Sequence, residues 1–366
     1  MELVLLVSLL NASILSIAVL GCLMFISTPA YRGLCALLAL VSFSALANLL
    51  EDLHLSRDLH LVSPVFVLAY GPAFYFSTKR LISGPIGYKA VWHFLPVLFV
   101  LPFTAYTQTI IAIGTVWRIA YAILTIKLIL EFNRQLTTQR SDASEVSLAW
   151  FGWLIGISTF FGALDLFRLN FQPELGLQLN MLGYAAGRAI FFIILLSLIL
   201  ILNNRRAALE TIGSAAINTN DAEFADSSTQ PGKNEESAAD YQSLFAILDK
   251  EIRAQHWYNL PRLTLSQLSE LSGMSTRDIS RCINLVAGMS FNDYVNLHRI
   301  EQIKSTLIDN TNGNTNLTDL ALAAGFSSKA TFNQSFKKIT GMTPSEYRSM
   351  KQHIQNQDSG RLESGH

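Results

Sequence analysis

Thr264-Leu-Ser-Gln-Leu-Ser-Glu-Leu-Ser-Gly-Met-Ser-Thr-Arg-Asp278 decides how the polar end of this chain folds. Thr264 and Gln267 stand in the T-x-x-Q form of a capping box, in which two side chains satisfy free backbone N–H groups at a helix start. Leu265, Leu268 and Leu271 follow at helical spacing. Gly273 offers the left-handed residue that ends a helix, and Ser275-Thr-Arg-Asp278 starts another, whose buried stripe is Ile279 and Ile283. Two short helices about a tight glycine turn predict a helix-turn-helix. Gly288 ends the second helix, and Ser290-Phe-Asn-Asp293 opens a longer one to about Leu307.

The pattern then recurs. Leu317, Leu320 and Ala321 predict a short helix, Gly325 the turn, and Ser328 to Ile339 the next helix, with Phe332 and Phe336 facing inward. Thr343-Pro-Ser-Glu346 caps a last helix with an N-cap, a proline at the first helical position and a carboxylate at the third. Two recognition helices about one DNA turn (~34 Å) apart read successive major grooves from one face of a duplex.

Gly325-Phe-Ser-Ser-Lys-Ala-Thr-Phe-Asn-Gln-Ser-Phe-Lys-Lys-Ile-Thr-Gly-Met-Thr-Pro-Ser-Glu-Tyr-Arg348 resembles the signature of AraC/XylS-family regulators. Gly273-Met-Ser275, Gly288-Met-Ser-Phe-Asn-Asp-Tyr294 and Arg299 resemble the family's first half. The resemblance runs from Leu248 to Met350, under a third of the chain. It implies that Thr276, Arg277, Ser280 and Arg281 face DNA from the first recognition helix, and Lys329, Asn333 and Gln334 from the second. Lys337 and Lys338 fall near phosphates. Arg grips guanine bidentately, Asn and Gln grip adenine, and Lys neutralises phosphate. The implied partners are double-stranded promoter DNA, RNA polymerase and a second copy of the chain. Two departures stand out. Cys282-Ile-Asn-Leu-Val286 replaces a stretch where family members commonly carry a basic pair, and the connection Asp309 to Asn316 is longer than usual.

Away from this region the composition changes. Half of the 366 residues are hydrophobic and 15% are charged, against roughly 25% in a soluble domain. The apolar residues concentrate up to Leu202, and the sequence is polar from Asn203 onward, so one part belongs in lipid and the other in water. About seven runs suit membrane helices: Leu3–Ile26, Gly33–Leu50, Leu61–Phe76, Val91–Tyr106, Ile110–Leu130, Leu148–Leu166 and Leu179–Leu202. The third and fourth are the shortest and are broken by Pro64, Pro72, Pro96 and Pro102. Alternate loops carry Arg32, then Lys79, Arg80 and Lys89, then Lys127, Arg134 and Arg140, and finally Arg205 and Arg206. The positive-inside rule then sets the N-terminus outside and the C-terminal domain in the cytoplasm, at the bacterial inner membrane.

Ionisable residues at membrane depth are costly and face a bundle interior or a wet cavity. Arg118, Asp165 and Arg188 are such residues, and either an Asp165–Arg188 ion pair or a signal-sensing pocket accounts for them. No HExxH, GxSxG or phosphate-binding glycine loop occurs, so no catalytic residues, enzyme activity or cofactor is expected. The three cysteines, Cys22, Cys35 and Cys282, have no metal-ligand spacing, and no metal site is expected.

The expected fold is all-α: a transmembrane bundle over 1–204, a polar flexible linker over 205–240, a double helix-turn-helix domain over 241–351 and a disordered tail over 352–366. The expected function is a membrane-embedded one-component transcription regulator, an activator, that senses a small-molecule or envelope signal. A transporter or membrane enzyme carrying an accessory DNA-binding domain is the alternative, and a linker cut by a protease is a third possibility.

Overall fold

A chain of apolar residues satisfies its backbone N–H and C=O groups in lipid only by forming helices or a closed barrel. The computed structural model takes the first route. It describes residues 2–56, 61–206, 234–309 and 316–363, and among them every extended element is a helix and none is a strand. The chain divides into two compact units, Met1–Phe132 with Leu148–Ile217, and Asn133–Ser147 with Asn218–His366.

The first unit contains α1 (Glu2–Phe25), α2 (Arg32–Asp52), α3 (Phe66–Ser83), α4 (Leu95–Val100), most of α5 (Thr107–Gln139), α7 (Ala149–Asn170) and α8 (Gln172–Asn204). Five stretches are long and apolar enough to cross a membrane: Glu2–Phe25, Pro29–Asp52, Tyr88–Gln139, Ala143–Asn170 and Gln172–Asn204. The expected run Leu61–Phe76 becomes α3, shifted toward Ser83 and not among the five. The run Val91–Tyr106 is not one helix. It divides into 3-10 turns at Tyr88–Phe94 and Leu101–Tyr106 around α4, because Pro96 and Pro102 lack the N–H that an uninterrupted helix needs. Arg57 and His60, in an expected outside loop, fall outside the described residues.

Helices α1 and α2 pack on each other, α1 also meets α8, α2 meets α3, and α7 meets α8. Several of the polar groups among them are paired. Arg188 donates to the Asn48 side-chain oxygen (3.0 Å) and the Tyr184 hydroxyl (3.1 Å), and its guanidinium lies over the Tyr184 ring. Asp165 does not take Arg188 as its partner. Its carboxylate accepts from Arg168 (2.8 Å), three residues along the same helix, where the backbone already holds the two side chains on one face. Arg118 donates to the backbone and hydroxyl oxygens of Ser158.

The second unit contains α6 (Ala143–Val146), α9 (Asn234–Gln255), α10 (Leu265–Ser272), α11 (Thr276–Cys282), α12 (Phe291–Asp309), α13 (Leu317–Ala323), α14 (Lys329–Thr340) and α15 (Pro344–Glu363). Helix α9 begins inside the segment expected as linker, and α15 continues into the expected tail; residues 207–233 of the linker and 364–366 of the tail lie outside the described residues. The caps form as the residue types demand. Thr264 and Gln267 close a complete capping box, Ser275 accepts from the Asp278 N–H and Ser328 from the Thr331 N–H, and Thr343 and Glu346 cap each other.

Two separate cores result. One gathers Leu248, Ile252, Leu263, Leu268, Ile279, Ile283, Phe291 and Val295. The other gathers Ile300, Ile303, Ala321, Phe326, Phe332 and Phe336. Helix α12 contributes its first half to one and its second half to the other. Phe332 is 1% exposed and its ring meets both Phe326 and Phe336, at centroid distances of 5.5 and 5.6 Å. Phe332→Ala is expected to destabilise the second cluster by about 3–5 kcal/mol. Hydrogen exchange is the check: protection in α13 and α14 falls by that free energy, while α10 and α11 lose much less.

Candidate nucleic-acid interface

Each half of the second unit places a short helix, a glycine turn and a second helix in sequence. The first turn uses Gly273 at φ +70°, and the second uses Gly325 at φ +90°. A Cβ at Gly325 would stand 2.5 Å from the backbone oxygen of Asn259, so this turn requires glycine both for its conformation and for its close approach to the first half.

Helices α11 and α14 occupy the recognition position of each half. On α14 the apolar residues turn inward, which leaves Lys329, Asn333, Gln334, Lys337 and Lys338 exposed. Lys338 also reaches Asp293 at the start of α12, with Nζ 2.6 Å from the carboxylate. That contact holds α14 to the first half and competes with a phosphate for the same ammonium. On α11, Arg277 is exposed, and Thr276 and Ser280 are half-buried. Arg281 is half-buried and donates to the Tyr241 hydroxyl on α9 at 3.3 Å. The expected residues therefore gather on two helix faces, with Arg281 and Lys338 each engaged within the domain.

The stretch Cys282 to Val286 also has a structural role. Helix α11 passes into a π-turn over Ile283–Ala287, which ends at Gly288 in the left-handed region. Cys282 and Ile283 are completely buried there, and burial pushes the Cys282 thiol up to about 11, which keeps it protonated and inert at neutral pH.

Sequence reasoning missed part of the interface. A concave surface beside α14 is lined by Asn316, Thr318, Lys329, Asn333, Ser345 and Arg348 among others. It combines two cationic side chains with hydroxyl and amide groups, the donor set that grips a phosphate backbone. Asn316 caps α13 and Ser345 lies in the first turn of α15, so the turns at Gly325 and Gly341 bring them to Lys329. The signal available in sequence was the N-cap at each helix start, which marks exposed donors but not their proximity.

Residues 268–350 match the helix-turn-helix domain family. An uncharacterized HTH-type transcriptional regulator of Staphylococcus aureus (strain COL) is 40% identical over 98 residues, covering 26% of this chain and 13% of the relative. Another from Staphylococcus aureus is 42% identical over 86 residues, covering 24% of this chain and 11% of the relative. The chain thus spans only about an eighth of the length of the curated relatives it matches. No solved structure matches the chain. The AraC-type expectation holds for the C-terminal helix-turn-helix domain, and the relatives are described as HTH-type transcriptional regulators.

The two kinds of contact separate in a titration. Lys337→Ala is expected to weaken binding to all duplexes alike and to reduce the slope of log affinity against log salt by about one. Asn333→Ala is expected to cost about 1–3 kcal/mol at one base position with the slope unchanged. Fluorescence anisotropy across a salt series reads both.

Proposed function

We propose that this chain is a membrane-embedded one-component transcription regulator, in which the apolar helices sense a signal and the double helix-turn-helix domain binds promoter DNA. The observation that carries this reading is the covalent union, in one chain, of five stretches apolar enough to span a bilayer with a matched helix-turn-helix domain. A DNA reader fixed to a bilayer is useful only where it reports on something the bilayer region detects.

In this proposal the chain crosses the inner membrane seven times. Helix α3 supplies one span beyond the apolar five, and the long stretch Tyr88–Gln139 counts as two, its proline-divided part 88–106 and α5. The N-terminus is outside, and the C-terminal unit lies in the cytoplasm, as the alternation of basic loops requires. The sensing element is the buried polar seam of Asn48, Tyr184 and Arg188, together with Arg118 and the Asp165–Arg168 pair. Buried polar networks have discrete hydrogen-bonded arrangements, which suits them to a two-state response. On the DNA side, Thr276, Arg277, Ser280 and Arg281 read one major groove. Lys329, Asn333 and Gln334 read the next, with Lys337 and Lys338 beside phosphates. A homodimer raises the effective concentration of readers at an operator, and RNA polymerase is the downstream partner.

Chromatin immunoprecipitation with sequencing tests this on the full-length tagged protein and on Lys329→Ala/Gln334→Ala. Discrete peaks with the native chain, lost from the variant at equal protein level in the membrane fraction, are expected. Equal enrichment in both would overturn the assignment of α14 as a reader.

A further inference from the structure

The segment Arg140–Glu145 lies in the chain between two apolar helices, yet it belongs to the same compact unit as the helix-turn-helix domain. Ser141 and Asp142 are 0% and 2% exposed, a depth at which a connecting segment must find partners for its polar groups. The first motif supplies them. The Ser141 N–H donates to the Leu263 carbonyl (3.0 Å), and the Ser141 carbonyl accepts from the side-chain amides of Asn292 (2.8 Å) and Asn296 (3.2 Å). Arg140 adds an isolated antiparallel bridge to Thr264, the cap of α10. The second motif is held by the same segment. The Thr331 hydroxyl on α14 donates to the Glu145 carboxylate (3.1 Å) and lies 3.4 Å from the Ser144 hydroxyl.

Charge ties the segment in more deeply. Arg299 is 1% exposed at the seam between the motifs, and its burial pulls the guanidinium down to about 10. The charge that opposes this loss is Asp142. Asp142 is fixed in turn by a bidentate grip from Arg140, at 2.8 and 3.0 Å. The most deeply buried cation of the DNA-reading domain therefore has its counter-charge on a residue that the sequence places among the membrane helices.

We infer that the loop Arg140–Glu145 is a brace that sets the two recognition helices relative to one another and, being continuous with α5 and α7, carries the state of the membrane helices to the operator. The inference rests on the DNA-reading role proposed above. Basic residues Lys127, Arg134 and Arg140 place this loop on the cytoplasmic side, the compartment of the C-terminal unit. The docked loop leaves Lys329, Asn333 and Gln334 exposed, so the braced state is the DNA-competent one. Withdrawal strips Thr331 of its acceptor and Arg299 of its counter-charge, and it frees the second motif from the first.

Ser144→Cys/Thr331→Cys in the full-length protein tests the docking, since the two hydroxyls already approach within disulfide reach. Oxidation in native membranes is expected to give an intramolecular cross-link, visible on non-reducing gels and absent from each single variant. Asp142→Asn is expected to lower affinity for the fragments recovered by chromatin immunoprecipitation at least about tenfold. Oxidising the cysteine pair in that background restores the affinity, and reduction abolishes the rescue. A flexible Gly-Ser insertion between Ser147 and Leu148 keeps the cross-link but makes operator occupancy constant across growth conditions in which native occupancy changes. A membrane-inserted pair that fails to cross-link overturns the docking. Native affinity in Asp142→Asn, or no rescue, overturns the brace, and occupancy that still follows the native pattern after insertion overturns the transmission. The cross-link is read without DNA, so failure to recover any operator counts against the DNA-reading role and not against the docking.

Discussion

The guanidinium of Arg299 is the group around which the C-terminal unit is arranged. Removing a charge from water costs several kcal/mol even after relaxation, so it is tolerated only where hydrogen bonds replace the lost solvent. Arg299 has them in three directions. Its Nε donates to the Tyr258 carbonyl (2.6 Å) and Nη2 to the Leu260 carbonyl (2.8 Å), both on the segment between α9 and α10. Nη1 reaches Asn296 on its own helix (3.1 Å), Nη2 reaches Ser141 (3.3 Å), and the plane lies over the Phe326 ring at 5.4 Å. A single planar fork thus joins the first motif, the second motif and the loop Arg140–Glu145. A lysine, with a point charge and no plane, would not make these contacts together.

That arrangement matters because the two hydrophobic cores are separate. Each gathers the side chains of its own helix-turn-helix, so the angle between the motifs depends on what links them. The angle rests on α12, which both cores share, on the Lys338–Asp293 ion pair, on the close approach of Gly325 to Asn259 and on the contacts of Arg299. The ion pair and the Arg299 hydrogen bonds are polar and directional, whereas the cores are apolar and tolerant.

The same physics appears in the apolar unit with a different result. There several polar side chains find partners on a nearby helix face, Asp165 at Arg168 and Arg188 at Tyr184 and Asn48. Such pairing lowers the cost of holding a polar group among apolar helices without demanding an Asp165–Arg188 ion pair. Prolines act just as locally, which is why the run Val91–Tyr106 divides into turns although its composition is apolar enough for a helix.

What the sequence determined by itself is everything that depends on short range. The capping boxes at Thr264 and Thr343, the left-handed glycines at 273 and 325, and the inward stripe of Phe332 and Phe336 follow from residues a few positions apart. They locate both motifs and the exposed face of α14, and the long apolar runs are legible for the same reason. Three things were decided only by the tertiary structure: the convergence of Asn316, Lys329 and Ser345, the turning of Arg281 toward Tyr241, and the burial of Ser141 and Asp142 against Arg299. These join residues up to 158 positions apart. No periodicity or cap encodes such a meeting, because it depends on how separate helices pack; at Ser141, Asp142 and Arg299 desolvated polar groups find their partners only once both surfaces are folded.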